Sequence, residues 1–200
     1  MSTNFAGFAA KLSGVDDTHT VVLVEGLSDK SAVEALAERR GRSLTAEGIE
    51  VVAMGGATNI AAYVGKFGPS GRDLRLAGLC DAGEEGAFRR GLERAGFGSD
   101  LTRSDLEALG FFVCVADLED ELIRALGTAT VERVVDAEGE LRSFRTLQKQ
   151  PGWRGRSTHD QLRRFMGSGG SRKIRYASPL VAALEPDRVP RPLDALLAYL

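Results

Sequence analysis

The sequence predicts an α/β fold built on a mainly parallel sheet with helices on both faces. Three observations carry that reading: short apolar runs alternate with amphipathic stretches, the runs are continuously apolar, and each ends in an acid or a glycine pair. Strands buried on both faces read as unbroken Val/Ile/Leu, and a helix between successive strands is the connection that parallel pairing requires.

The elements follow in order. Residues 21–25 form a first strand; Ser28 then caps a helix with Val33, Leu36 and Ala37 on one face, and Gly41 stops it. Residues 49–54 form a second strand, Gly55 and Gly56 a turn, and residues 58–67 a short helix. A third strand covers 74–80 and ends at Asp81, followed by a helix over 84–95. Residues 111–115 are the fourth apolar run, and Asp117 opens a helix that reaches Leu126. Beyond Gly127 the periodicity weakens. Residues 128–150 read as helical with a turn near Gly139, PGWRGRST breaks the chain, and 158–166 form another helix. GSGGSRK reads as a flexible loop, 176–184 as a helix, and LDALLAYL as a final apolar turn after Pro190 and Pro192. With no repeat and no second apolar core, the expectation is one domain over 1–200: a core at about 20–127 and a basic C-terminal extension at 128–200 packed on it.

Composition narrows the function. A 43% hydrophobic content over 200 residues suits one full core. No apolar run approaches the roughly 18 residues of a membrane span, and MSTNFAGFAAKLSG lacks the pattern of a signal peptide, so no membrane role and a cytoplasmic location are expected. Cys80 and Cys114 each close an apolar run and read as buried thiols. Two isolated histidines, His19 and His159, with no CxxC pair, argue against a zinc site, so any metal would sit on oxygen ligands. Residues 142–191 hold 12 Lys and Arg against 3 Asp and Glu, which places a basic segment beside an acidic body. Such an asymmetry suits a polyanion next to a cation site, or simply a mixed solvated surface.

Acids gather at three strand ends: Glu25 with Asp29, Asp81 with Glu84 and Glu85, and Asp117 with Glu119, Asp120 and Glu121. In a parallel sheet these ends share one edge, where ligands collect. Crowded carboxylates repel unless a cation offsets them, and a hard ion such as Mg2+ or Mn2+ does so with one or two carboxylates, phosphate and water. Each acid also has an ordinary structural reading. Asp29, Glu84, Glu119 and Asp120 fall in first helical turns, where negative charge suits the helix dipole. Gly55, Gly56 and Asn59 open a helix and are candidates to present N–H groups to phosphate, or a plain turn.

The order strand-Glu25-Gly26-x-x-Asp29, strand-Asp81 in LCDAGEEGAF, and the acidic helix start VADLEDEL resembles the Toprim domain, a Rossmann-like fold, of topoisomerases, primases and certain nucleases. Within that group the chain is most similar to the overcoming-lysogenization-defect (OLD) family nucleases, through the Gly-Gly turn in MGGATN and Lys173 in SRKIRYASPLVAAL. The resemblance spans about residues 21–184 and implies hydrolysis of nucleic acid, DNA before RNA, assisted by Mg2+ or Mn2+. It implies Glu25, Asp81 and Lys173 as catalytic residues, and Glu25, Asp29, Asp81, Asp117, Glu119 and Glu121 as metal ligands. Arg154, Arg156, Arg163, Arg164, Arg172 and Arg175 would contact the nucleic-acid backbone, and Trp153 would stack on a base or close a surface cluster.

Two departures stand out. Asp81 is followed by Ala82 and Gly83 where the family motif has Asp-x-Asp, with Glu84 or Glu85 as the nearest substitutes. The chain has no GxxxxGK[ST] phosphate loop; YVGKFG lacks the first glycine and the hydroxyl. A stand-alone Toprim unit working with a separate ATPase is therefore expected. The competing reading is a non-catalytic Toprim module that binds metal and a phosphate-bearing ligand; a receiver-like phospho-acceptor at Asp81 is weaker, because its acid pair belongs after the first strand.

Overall fold

The computed structural model describes residues 18–168 and 171–200, so the N-terminal expectation and the Gly169-Gly170 part of the predicted loop lie outside the described residues. Four strands, β1 (Thr20–Val24), β2 (Ile49–Ala53), β3 (Arg75–Cys80) and β4 (Phe111–Val113), form one sheet in the order β2-β1-β3-β4, all parallel. Strand β1 is buried throughout, and its alternate side chains feed two different cores. Val21 and Leu23 meet Ile60, Val64, Phe88 and Leu106 on one face, while Val22 and Val24 meet Val33, Leu36, Leu122 and Ile123 on the other. That two-sided burial is why the strand reads as an unbroken apolar run. Gly78 in β3 is required by close approach, since a Cβ there would lie 2.7 Å from both the Leu23 carbonyl oxygen and a Phe111 ring carbon.

The helices are α1 (Leu27–Arg39), α2 (Ile60–Phe67), α3 (Glu85–Arg94), α4 (Arg103–Ala108), α5 (Leu118–Leu126), α6 (Thr128–Ala137), α7 (Leu141–Lys149), α8 (Thr158–Gly167), α9 (Arg172–Ala183) and α10 (Arg191–Tyr199). Helices α2, α3 and α4 cover one face of the sheet; α1, α5 and the helices of the C-terminal third fill the other. Phe144, Phe165, Tyr176, Leu180 and Leu196 lie in the same core cluster as Val22 and Val24. The predicted extension thus shares a core with the sheet through the edge-on Phe112–Tyr199 pair and packing of α9 on α1, whose Arg39 donates 2.9 Å to the Val181 carbonyl, while Phe165 stacks edge-on with Phe144 and Tyr176 inside the extension.

Several local expectations change. Gly26, not Ser28, caps α1, because the Asp29 carboxylate reaches back to the Gly26 N–H. Helix α4 was not anticipated, although Thr102 and Asp105 form a reciprocal cap that marks its start. LDALLAYL is part of a helix rather than a turn, since Leu193, Leu196 and Leu197 repeat at helical spacing and are buried. Helix α9 begins at Arg172, so Lys173 sits on a first helical turn and not in the predicted loop. Both cysteines are free and buried, and burial pushes both thiols up. Among the described residues no helix is long and apolar enough to cross a membrane.

Candidate functional site

Parallel pairing brings the ends of β1, β3 and β4 to one rim, with Glu25 and Asp81 directly beyond the first two and Asp117 at the cap of the helix that follows β4. Gly26 is extended and holds the chain as it turns into α1, where Asp29 Oδ2 accepts the Gly26 N–H at 2.8 Å. The Gly-Gly turn after β2 closes on the same place: Gly55 and Gly56 donate their N–H groups to the Glu25 carbonyl at 3.0 and 3.1 Å. Both glycines have positive φ, 73° and 129°, which other residues adopt only at a cost. Asn59 donates its amide to the Met54 carbonyl at 2.9 Å. These three residues therefore brace the backbone under Glu25, and the glycine N–H groups are spent there rather than offered to phosphate.

Glu25, Asp29 and Asp81 act on one another. Burial pushes Asp81 up to about 7, with Asp29, Asp117, Glu25 and Glu119 adding repulsion. Burial likewise raises Asp29 to about 6 against the opposing Gly26 hydrogen bond, and Glu119 and Glu25 raise it further. Glu25 is raised by burial and by Glu84, with Lys173 the one cation that lowers it. A rim that holds its carboxyls this reluctantly charged favours an added cation. Of the two substitutes for the absent Asp-x-Asp acid, Glu84 bears on Glu25, whereas Glu85 is tied to Arg103.

The acids of α5 have different surroundings. Asp117 caps the helix, its Oδ1 accepting the Asp120 N–H at 2.8 Å, while its Oδ2 accepts both Nε and Nη2 of Arg163 at 2.9 and 2.6 Å. Glu119 is buried and pairs with Lys173 Nζ at 2.8 Å. Burial works against the Lys173 charge, but Glu119 wins and its pKa is raised. Asp120 pairs with Arg124 at 2.7 Å and lies 3.2 Å from His159 Nε2, in a geometry short of a hydrogen bond; sequence reasoning missed this network. The Glu121 carboxylate accepts the Val115 N–H at 2.7 Å and pairs with Arg124 at 2.8 Å, which anchors the strand end to the helix.

Beside Asp117 and Glu119 opens a groove of about 500 Å3 walled by Trp153, Arg156, Arg163, Arg164 and Lys173. The six predicted nucleic-acid arginines divide here. Arg156, Arg163 and Arg164 line the groove, and Arg164 lies over the Trp153 ring. Arg172 and Arg175 both pair with Glu140, with Tyr176 donating to the same carboxylate at 3.0 Å, contacts that fasten α9 to the loop before α7. Arg154 donates to the Lys149 carbonyl at 3.3 Å. Among the described residues no three His, Cys, Asp or Glu side chains stand close enough to ligate one ion as they are. Hard divalent ions, however, need only one or two protein carboxylates beside phosphate and water, and the oxygen-only donors of Glu25, Asp29 and Asp81 fit that demand.

Residues 18–74 match the model of the overcoming lysogenization defect protein-like TOPRIM domain. The matched segment carries Glu25 and Asp29. The chain is also similar to the C-terminal region of the Burkholderia pseudomallei OLD protein, at 23% identity and a TM-score of 0.70 over 91% of this chain and 96% of that one. Two structures of the C-terminal region of the Xanthomonas campestris pv. campestris OLD protein align with TM-scores of 0.69 and 0.70 at 26% and 25% identity. They cover 91% and 93% of this chain and 94% and 93% of theirs. Comparison with curated proteins returns no match.

Proposed function

We propose, from the premise that this chain carries an OLD-like Toprim domain, that it hydrolyses phosphodiester bonds of nucleic acid, DNA in the first instance, with Mg2+ or Mn2+ as cofactor. The observation that supports this most is the surroundings of Asp81: burial and the negative charges of Asp29, Asp117, Glu25 and Glu119 dominate them, and Asp81 follows the strand that lies between β1 and β4, on the ligand edge of a parallel sheet. Glu25, Asp29 and Asp81 would hold the first ion, and Asp117 and Glu119 a second. When bound, such ions supply Lewis-acid polarisation of a phosphoryl oxygen and an acidified water.

The residues of the chain do the rest. The Gly26 N–H orients Asp29, and the Gly55-Gly56 turn fixes the backbone of Glu25. Lys173, kept cationic by Glu119, sets a positive charge beside the acids, where negative charge builds on a phosphoryl group under attack. Arg156, Arg163 and Arg164 hold strand phosphates without reading bases. An ATPase working with this domain would be carried outside these 200 residues, which hold no phosphate loop.

The test is cleavage of supercoiled plasmid with Mg2+, Mn2+ or chelator. Cleavage is expected only with an ion, and Glu25→Gln and Lys173→Ala should each lower it on the order of 10²-fold or more, the size seen when a positioned electrostatic group is lost. A second reading, a binding module that cuts nothing, is favoured by Ala82 and Gly83 standing where the motif carries its second acid. Retained DNA binding with no cleavage under any ion would establish that reading in place of the nuclease.

A further inference from the structure

The ion pairs at α5 join two sites that the proposed function treats separately. Arg163 and Lys173 both line the 500 Å3 groove, and both are bonded to carboxylates assigned to an ion, Asp117 and Glu119. The two ends of each pair differ in freedom. The Asp117 and Glu119 side chains are only 16% and 10% exposed, whereas those of Arg163 and Lys173 are 45% and 43% exposed. Asp117 is further fixed by its cap on the Asp120 N–H, which uses Oδ1 and leaves Oδ2 as the oxygen that Arg163 covers. Both Arg163 nitrogens converge on that single oxygen, a less specific grip than a fork meeting both oxygens of a carboxylate. Half-exposed ion pairs contribute little net stability, so a competing anion in the groove can redirect the long cationic side chains.

We infer that the groove is a polyanion subsite coupled to the cation subsite by exchange of these two ion pairs. Phosphates entering the groove take Arg163 and Lys173, and Asp117 and Glu119 are thereby released to ligate a divalent ion. Without a polyanion the α5 carboxylates are already neutralised from within the chain, so the ion has little to gain there. Each ligand raises the affinity of the other by the same factor, as linkage requires. The inference rests on the proposed assignment of Asp117 and Glu119 to an ion, but not on whether any bond is cut.

Trp153 is the only tryptophan in the chain and stands in the groove wall, so its fluorescence reports occupancy directly. The probes are Mn2+, counted by electron paramagnetic resonance, and a thymidine oligonucleotide with phosphorothioate linkages. Saturating oligonucleotide should tighten Mn2+ binding about tenfold, equivalent to about 1.4 kcal/mol, and Mn2+ should tighten oligonucleotide binding equally. An uncharged methylphosphonate oligonucleotide should give no tightening. Arg163→Gln should bind Mn2+ more tightly than the parent when no oligonucleotide is present and should lose much of the coupling; Arg163→Lys should restore it. Arg164→Gln, whose parent side chain lies over Trp153 rather than against a carboxylate, should weaken oligonucleotide binding and leave Mn2+ alone unchanged. Equal Mn2+ affinity with and without oligonucleotide, or an Arg163→Gln protein indistinguishable from its parent, overturns the exchange. Coupling without plasmid cleavage would sink the nuclease and leave the exchange standing, and cleavage without coupling would do the reverse.

Discussion

The acids beyond β1 and β3 and the acids of α5 are the same chemical groups on the same rim, yet they are managed in opposite ways. Glu25, Asp29 and Asp81 are partly buried beside one another, with Lys173 and, at Asp29, the Gly26 N–H opposing their repulsion, and their carboxyls are still raised above the usual range. Asp117, Glu119, Asp120 and Glu121 are each met by a cation or a backbone N–H. The first group carries repulsion that the fold leaves largely uncompensated, whereas the second is paired within the fold. Acidic density alone therefore does not define a cation site. What decides it is whether counter-charge is already built in.

The largest effect that would break this comparison is at Asp81. Asp81→Asn should reduce plasmid cleavage on the order of 10²-fold and yet raise the melting temperature of the metal-free protein at pH 8, because an amide feels none of the surrounding repulsion. Asp117→Asn keeps the helix cap and loses only the half-exposed Arg163 pair, so its stability should fall by no more than the roughly 0–1 kcal/mol typical of such pairs, with a correspondingly small drop in melting temperature. Opposite signs in thermal unfolding are the outcome that matters; equal signs would remove the distinction.

A smaller effect is expected from pH. Asp29 and Asp81 have folded-state pKa values of about 6 and about 7 against 3.8 in the unfolded chain. The folded state then binds more protons between about pH 4 and 7, and stability falls as pH rises through that window. Calorimetry of the metal-free protein should show the melting temperature dropping by about 2–4 °C from pH 5 to pH 8 for each kcal/mol lost. Solvent screening at Asp81 keeps the total well below the full pKa difference. Mg2+ should flatten the slope, and a slope unchanged by both Mg2+ and Asp81→Asn would count against the unpaired group as its source.

A further contrast separates the arginines. Arg156→Gln should weaken DNA binding across sequences and lower the salt slope by about one, without changing the melting temperature. Arg172→Gln should leave DNA binding intact and destabilise the fold by about 1–3 kcal/mol, since it strips a partner from Glu140. Filter binding at several salt concentrations, run beside thermal melts, distinguishes the two.

The sequence by itself determined the parallel sheet and the placing of Glu25, Asp81 and Asp117 on one edge, because an unbroken apolar run ended by an acid is a local pattern and parallel topology carries every such end to the same side. It also marked Asp29, whose reach back to the Gly26 N–H is a contact between near neighbours in the chain. Only the tertiary structure decided which charges are spent. Lys173 meets Glu119 across 54 positions, Arg163 meets Asp117 across 46, and Arg172 meets Glu140 across 32. Nothing in the spacing of a basic segment says which face of a helix turns toward which acid. The Gly55-Gly56 turn was legible as a turn, but that its N–H groups serve the Glu25 carbonyl depends on β2 lying beside β1. Hydrophobic pattern is a property of neighbouring residues and survives in one dimension, whereas charge compensation at this rim is a property of helices packed from distant parts of the chain.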